Sequence, residues 1–439
     1  MPISPEVFAR YAEMHVPRYT SYPTAPHFST AVGEGEYRDW LRQLAPSEIV
    51  SIYVHVPFCR EMCWYCGCHT TVTARQAPIS RYVSALLHEI TRVASELHSG
   101  LRAGHLHWGG GSPTLLTADQ LKLIHGALTK NFEFDSQSEN AVEIDPRTMT
   151  VELADALARV GVNRASLGVQ SFDPKVQVAI NRVQTFEVTA AAVRLLRERG
   201  IPAINLDLIY GLPFQTVDSC LETVEQALRL QPDRLAVFGY AHVPEFKLHQ
   251  RRIDRATLPG PAERYAQAEA ISRALTLRGY RQIGLDHFAL PGDSLAIATE
   301  KGKLHRNFQG YTADPCRTLI GFGASAIGRL PGGFVQNSPR LPDYERYIAA
   351  GRLATVRGHK LSADDRRRSA IIEQLMCDYR ADVSEFGTDS LKLLERDGLI
   401  RRSGNIVEVV EDARPLIRAI AAVFDAKLAG SASRHVTAV

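Results

Sequence analysis

From about residue 48 the sequence repeats one phrase, a short β-branched, apolar run followed by a longer segment of helical period. Such alternation points to βα units around a parallel sheet, because consecutive parallel strands need a crossover long enough to hold a helix. Six runs carry it: IVSIYVHV (49–56), HLHW (105–108), AVEID (141–145), RASLGVQ (164–170), AINLDLIYG (203–211) and RLAVFGY (234–240). The helical segments open on capping residues: Ser80 ahead of an apolar stripe at 82, 86, 90, 93 and 97, Thr117 with Gln120 as a capping box, then Thr150, Thr185 and Thr216. A helix after every strand favours a closed or partial (β/α) barrel over a doubly wound sheet, and barrels bind ligands at the C-terminal strand ends. Those ends are unusual here. The first is rich in cysteine, the second runs into three glycines, and the third carries Glu143 and Asp145.

Around this unit, residues 1–44 read as an N-terminal arm, 45–355 as the barrel with covering loops, and 356–439 as a mainly helical C-terminal domain. A seventh strand-like run, RQIGLDHFA (281–289), precedes a Gly-rich stretch to about residue 355 that reads as loops. Beyond Leu361 come charged helices and then SLKLLERDGLIRRSGNIVEVVEDARPLIRAI, the outline of a winged helix serving as lid or packing domain. Its arginines (Arg366, Arg367, Arg368, Arg401, Arg402) raise a nucleic-acid reading that the charge balance opposes. Lys plus Arg total 51 against 48 Asp plus Glu, a net charge of +3, so no nucleic-acid partner is expected and any anionic ligand must be met locally. No continuous 18-residue apolar stretch exists, so no membrane partner is expected, and the start lacks the basic cap and apolar run of a secretion signal, so a cytoplasmic location is expected.

Four of the seven cysteines fall in YVHVPFCREMCWYCGC, where Cys59, Cys63, Cys66 and Cys68 follow the first strand directly. A secreted disulfide framework would spread its pairs, so the clustering points to a metal or redox site. Thiolates are soft ligands suited to iron–sulfur clusters and to zinc. A structural zinc site would use all four cysteines, but its motifs normally come as two separated CxxC pairs or with histidines. The CxxxCxxC spacing, with the aromatic Tyr65 before the third cysteine, resembles the radical S-adenosylmethionine (SAM) superfamily. That resemblance implies a [4Fe–4S] cluster on Cys59, Cys63 and Cys66, with one iron left open to chelate SAM and cleave it to a 5′-deoxyadenosyl radical. Cys68 remains a possible ligand, redox relay or spare thiol.

The glycines of LHWGGGSPT let backbone approach a ligand without side-chain obstruction. Glu143, Gln170 and Asp207 sit where a barrel points side chains at one mouth. Further strings narrow the resemblance to the oxygen-independent coproporphyrinogen III oxidase family: PRYTSYPT (17–24), YVHVPFC, CGC, HWGGGSPT, VEIDPR, LGVQSF, NLDLIYGLP, YAHVP, DHFALP, HRNFQGYT (305–312) and GASAIG (323–328). That family implies a partial (β/α) barrel of the radical SAM type, with an N-terminal arm and a C-terminal helical domain, binding two SAM molecules beside one cluster. Carried over by motif, the first SAM falls on Tyr53, Gly110, Glu143 and Ile327. The second falls on Tyr65, Gly111, Ser112, Gln170, Arg182, Asp207 and Ala241. The family usually shows Thr at Ser112, a change that keeps the hydroxyl. Tyr53 and Cys68 are the catalytic candidates.

The implied reaction is oxidative decarboxylation of two propionates of coproporphyrinogen III to vinyl groups. The β-carbon C–H is not acidic enough for a side-chain base, so a radical cofactor is needed and the protein positions it. A one-electron donor such as a flavodoxin or ferredoxin is implied, together with an unidentified terminal acceptor; the chain is expected to be a monomer. Four propionates call for guanidinium or aromatic partners, for which Arg18, Tyr19, His305 and Arg306, with Gln309 behind them, are candidates. A haem-trafficking relative is the alternative, but such relatives typically lack the fourth cysteine and the PRYTSYPT arm, and both are present here.

Overall fold

A computed structural model describes residues 3–384, 386–387, 389–428, 435 and 437–438. The six predicted runs form strands: β1 (Ile49–Val56), β2 (Arg102–Gly110), β3 (Glu133–Ile144), β4 (Arg164–Gln170), β5 (Ala203–Tyr210) and β6 (Arg234–Gly239). They pair in parallel in chain order, with Tyr53 beside His107, His107 beside Ala141, and Glu143 beside Ser166. β2 and β3 are longer than their apolar runs, because pairing through Arg102–Glu133 and Ala103–Phe134 extends the ladder below the core.

The run 281–289 becomes a hairpin of β7 (Arg281–Ile283) and β8 (His287–Ala289), antiparallel to β6. The stretch read as loops contains strands, three of which join the main sheet, and the helices Ser294–Glu300 and Leu341–Ala349. β9 (Thr318–Phe322) pairs in parallel with β1 on its other edge, and β10 (Ile327–Leu330), β11 (Gly333–Asn337) and β12 (Thr355–Lys360) continue antiparallel. The twelve strands run β12-β11-β10-β9-β1-β2-β3-β4-β5-β6-β8-β7, so β9 and β6 do not meet and the parallel part is a partial barrel. The boundary drawn at residue 356 falls inside β12.

Thr117, Thr150, Thr185 and Thr216 cap their helices as the sequence indicates, and Thr117 and Gln120 close a reciprocal box. Ser80 does not. The helix Gln76–Ala94 begins a turn earlier, after Arg75, and its apolar stripe is buried on the sheet at Tyr82, Leu86, Ile90 and Val93.

A second core lies in the C-terminal part, where helix Ala363–Asp378, helix Asp389–Arg396 and the sheet of Arg380–Asp382, Ile406–Val409 and Ile400–Ser403 make a winged-helix arrangement. Tyr11, Val16, Tyr19 and Tyr22 of the arm are buried in that core. Each large apolar side chain removed from water contributes on the order of 1.5–3 kcal/mol, so the arm is anchored there by burial. Among the described residues no helix is long and apolar enough to cross a membrane.

Candidate active site

The cysteine loop leaves β1 at Val56 and is stitched down by a short parallel pairing of Phe58–Cys59 with Thr71–Val72. Gly111 N–H donates to Val56 O (2.9 Å) and Ser112 N–H to Phe58 O (2.7 Å), which lays the glycine loop against the cysteine loop. The approach is too close for any other residue: a Cβ on Gly111 would lie 2.4 Å from the Phe58 carbonyl oxygen and 2.6 Å from Thr70 Oγ1.

Each of the first three sulfurs receives donors. Thr70 Oγ1 (3.1 Å) and Ser112 Oγ (3.8 Å) reach Cys59 Sγ, Arg182 Nη1 (3.7 Å) and Arg147 Nη2 (4.0 Å) reach Cys63 Sγ, and Cys68 N–H reaches Cys66 Sγ (3.4 Å). The Cys66 thiol is shifted down by its hydrogen bond from the Cys68 side chain, helped by the Cys68 N–H and by the charges of Lys247 and His249. Donors and cations around sulfur stabilise thiolates. All seven cysteines are free thiols, and Cys68 is exposed. Among the described residues no three His, Cys, Asp or Glu side chains converge on a point that could hold a single metal ion. Three thiols spread around a loop suit a cubane, which is larger than one ion. The donor set of Cys59, Cys63 and Cys66 fits an iron–sulfur cluster.

Beside the loop, Tyr53 OH and His55 Nδ1 are hydrogen-bonded (2.9 Å), and the Tyr53 ring stacks on His107 with centroids 5.8 Å apart. His107 Nε2–H donates to Glu143 Oε1 (3.1 Å) and Gly110 N–H to Glu143 Oε2 (3.1 Å). Burial alone would raise the Glu143 carboxyl, but His107 and the Gly110 amide outweigh it and hold it below the usual range. Ile327, at the start of β10, backs onto Gly321, the strand neighbour of Tyr53.

Further round the mouth, Gln170 and Arg182 meet over Gly168, and Arg182 Nη2 donates to Gly168 O (2.7 Å) while pairing with Asp145 (3.4 Å). Arg182 Nε is buried without a partner. Asp207 accepts from Ser166 Oγ (3.0 Å) and Asn205 Nδ2 (2.8 Å), yet burial, with the charge of Glu143, pushes its carboxyl up to about 7. Tyr65 packs against the cluster of Val176, Ile180, Leu212, Tyr240 and Ile253. The loop after β6 clamps the cysteine loop from outside: Gln250 Nε2 donates to Tyr65 O (3.0 Å) and Ala241 O (3.3 Å), His249 Nε2 meets Cys66 O (2.7 Å), and Lys247 Nζ donates to Cys68 O (3.0 Å).

Ala241 also lines a cavity of about 1020 Å³ between the barrel mouth, the arm and the C-terminal helices. Arg18, Arg264, Arg306 and Arg418 face it. Arg306 is only 8% exposed, its guanidinium lies 4.2 Å over the Tyr311 ring, and its Nε and Nη1 have no partner. Burial, then the charges of Arg18 and Arg306, push Arg418 below the ordinary arginine value against the opposing pull of Tyr210 and Asp286. Three of the proposed propionate partners lie elsewhere. Tyr19 OH donates to Asp425 Oδ2 (3.1 Å) inside the C-terminal core, His305 pairs with Glu373 (3.2 Å), and Gln309 makes a local turn contact with Asn307.

Sequence reasoning passed over His55 and His107, whose signal was a histidine at alternate positions of otherwise apolar strands. It also passed over Arg147, Arg264 and Arg418, which had no local signal.

The radical SAM superfamily model matches residues 53–227. The chain is 50% identical to the oxygen-independent coproporphyrinogen III oxidase of Bradyrhizobium diazoefficiens, over 98% of both chains, and 39% identical to that of Escherichia coli, over 94% of this chain and 93% of the relative. The solved structure of coproporphyrinogen III oxidase from Escherichia coli, a radical SAM enzyme, superposes with a TM-score of 0.88 at 38% identity, covering 94% of this chain and 99% of that one. With arm, barrel, cysteine loop and C-terminal domain all inside the matched span, the chain belongs to the oxygen-independent coproporphyrinogen III oxidases of the radical SAM superfamily.

Proposed function

We propose that the protein converts coproporphyrinogen III to protoporphyrinogen IX by oxidative decarboxylation of two propionates. Each loses a β-hydrogen atom, then CO₂ and one electron, leaving a vinyl group. The observation that carries this reading is the arginine-lined cavity joined through Ala241 and Gln250 to the cysteine loop, with buried donors of Arg264 and Arg306 left unpartnered in a volume large enough for a tetrapyrrole.

Cys59, Cys63 and Cys66 would hold the cluster. When bound, the cluster and SAM together supply a carbon radical able to take hydrogen from an unactivated C–H bond. The chain's own residues do the rest. Arg147 and Arg182 offset thiolate charge at Cys63, and Thr70 and Ser112 direct hydroxyls at Cys59. Glu143, kept ionised by His107, is an acceptor for ligand hydroxyl or ammonium groups at the first SAM position, with Tyr53, Gly110 and Ile327 around it. A second SAM would take Tyr65, Gly111, Ser112, Gln170, Arg182, Asp207 and Ala241. Arg18 and Arg306, joined by Arg264 and Arg418, would pair propionates bidentately. The protein acts as a monomer, fed by a one-electron donor of the flavodoxin or ferredoxin type, and passes the electron released with each CO₂ to an acceptor not yet identified.

The test is anaerobic incubation of reconstituted protein with SAM, reductant and coproporphyrinogen III. Protoporphyrinogen IX with two CO₂ per turnover is expected; tight haem binding without product would favour a carrier instead. Cys63→Ala is expected to lose the cluster absorbance and all turnover, and a full cluster in that variant would overturn the ligand assignment.

A further inference from the structure

The arginine-lined cavity also has carboxylates in its wall: Glu245, Glu269 and Glu411 are exposed at its edge, and Asp286 alone of the four is drawn inside. It sits in the turn between β7 and β8, and that turn is pinned twice. Val237 N–H of β6 donates to Asp286 O (2.6 Å), and Gly284 lies so close to the Tyr311 ring that a Cβ there would meet it at 2.0 Å. The side chain is pinned as well. Asp286 Oδ1 is 2.7 Å from Nδ1 of His287, whose ring is held edge-on by Phe238 (5.8 Å) and Tyr311 (5.5 Å), both at 83°. His287 alone makes an ion-pair contact with it; neither Arg18 nor Arg306 does, and among the described residues no donor reaches Oδ2.

Burial would raise this carboxyl. The His287 hydrogen bond and charge, with Arg306 and Arg18 at longer range, instead bring it down to about 2, so it is ionised at any working pH. In a site built only to receive carboxylates, a fixed buried anion weakens binding. A positioned ionised acceptor with a free oxygen suits a ligand that brings donors as well.

We propose that Asp286 accepts hydrogen bonds from the pyrrole N–H groups of the tetrapyrrole, gripping the ring at its centre while the arginines grip its rim. This rests on the reading that the cavity takes coproporphyrinogen III. A porphyrinogen presents four pyrrole N–H donors and no ring acceptor, on a macrocycle whose sp³ bridges let the donors tilt to one side. The oxidised porphyrin is flat and carries two N–H groups and two nitrogen lone pairs, and those lone pairs repel a carboxylate. Asp286 therefore selects the reduced ring, and His287 acts through it as a positioning residue.

The experiment compares anaerobic binding of coproporphyrinogen III and coproporphyrin III to reconstituted wild-type protein and to Asp286→Asn. Wild type is expected to prefer the porphyrinogen by about tenfold or more, the range of a charge-assisted hydrogen bond. Asp286→Asn is expected to lose most of that preference by weakening porphyrinogen binding, while the porphyrin binds equally or more tightly. If Asp286 merely offsets the arginine charges, the variant binds both tetracarboxylates more tightly and keeps their ratio, which overturns the proposal. Equal wild-type affinities overturn it without any variant, so a misfolded Asp286→Asn leaves the question decidable. Wild-type turnover of coproporphyrinogen III in the same preparation separates the two levels. Its absence sinks the functional reading, whereas turnover with unchanged selectivity in the variant sinks only the role of Asp286.

Discussion

Replacing Gly111 by alanine puts a methyl group where the cysteine and glycine loops touch. The added Cβ would lie 2.4 Å from Phe58 O and 2.6 Å from Thr70 Oγ1, and neither is free to retreat. Phe58 O already accepts from Ser112 N–H, and Thr70 Oγ1 donates to Cys59 Sγ. The loops must part by roughly 1 Å to reach ordinary contact. Overpacking of this kind costs about 1–3 kcal/mol, and stretching the Gly111–Val56 and Ser112–Phe58 bonds adds about 1 kcal/mol each. The sum, about 3–5 kcal/mol, corresponds to a fall in Tm of about 3–5 °C for a chain of 439 residues. A displacement of that size beside the reacting groups costs on the order of 100-fold in rate. Anaerobic thermal unfolding, iron content and SAM cleavage rate of reconstituted Gly111→Ala measure these effects. Gly126→Ala is the control, because Gly126 lies inside helix Ala118–Asn131 with nothing within 4 Å of the new Cβ, so it should stabilise by about 0.5–1 kcal/mol. A Gly111→Ala protein with wild-type Tm and cleavage rate would refute the close-approach argument.

Arg306→Ala should raise KM for coproporphyrinogen III by about tenfold or more while leaving SAM cleavage without substrate unchanged, since it removes charge-assisted donors that face the cavity; an unchanged KM would take Arg306 out of the substrate site. Glu89 is buried at 1% exposure, accepts from Tyr344 OH (2.7 Å), Gly323 N–H (2.7 Å) and Asn337 Nδ2, and is pushed up by burial to about 7. Its carboxyl binds a proton more tightly folded than unfolded, so this contribution to stability is complete below pH 4.5 and declines as pH rises to about 7, by about 3 kcal/mol in all. Urea midpoints at pH 5 and pH 8 should differ accordingly in wild type and much less in Glu89→Gln; parallel midpoints in the two proteins would contradict it.

The parallel strands could be read because β1 to β6 are apolar, β-branched runs, each followed by a helix, and the threonine caps made the helix starts legible. β9 was missed for a physical reason. TLIGF is followed by another strand and not by a helix, so it lacks the βα phrase, and its pairing partner β1 lies more than 260 residues earlier. The cysteine and glycine loops were legible because the groups that touch are neighbours along the chain or follow successive strands. The cavity was not. Arg264 and Arg418 look like ordinary helix arginines until the fold brings them beside Arg18, and Tyr19 looked like a substrate contact because Asp425, which takes its hydroxyl, is 406 residues away.

The order in which the cavity wall is made has a consequence for the living cell. Arg306 Nη2 donates to Arg18 O (3.3 Å), Arg418 Nη2 to Val16 O (3.2 Å), and Arg18 Nη2 to Gly239 O (2.9 Å), so the wall is knotted from the earliest and latest parts of the chain. A ribosome that has finished the sixth parallel strand has already released every cysteine of the loop, yet the pocket for the tetrapyrrole must wait for residue 418. Lesions in the last helices are therefore expected to open the cavity wall while sparing the cysteine loop, which takes no part in these bonds.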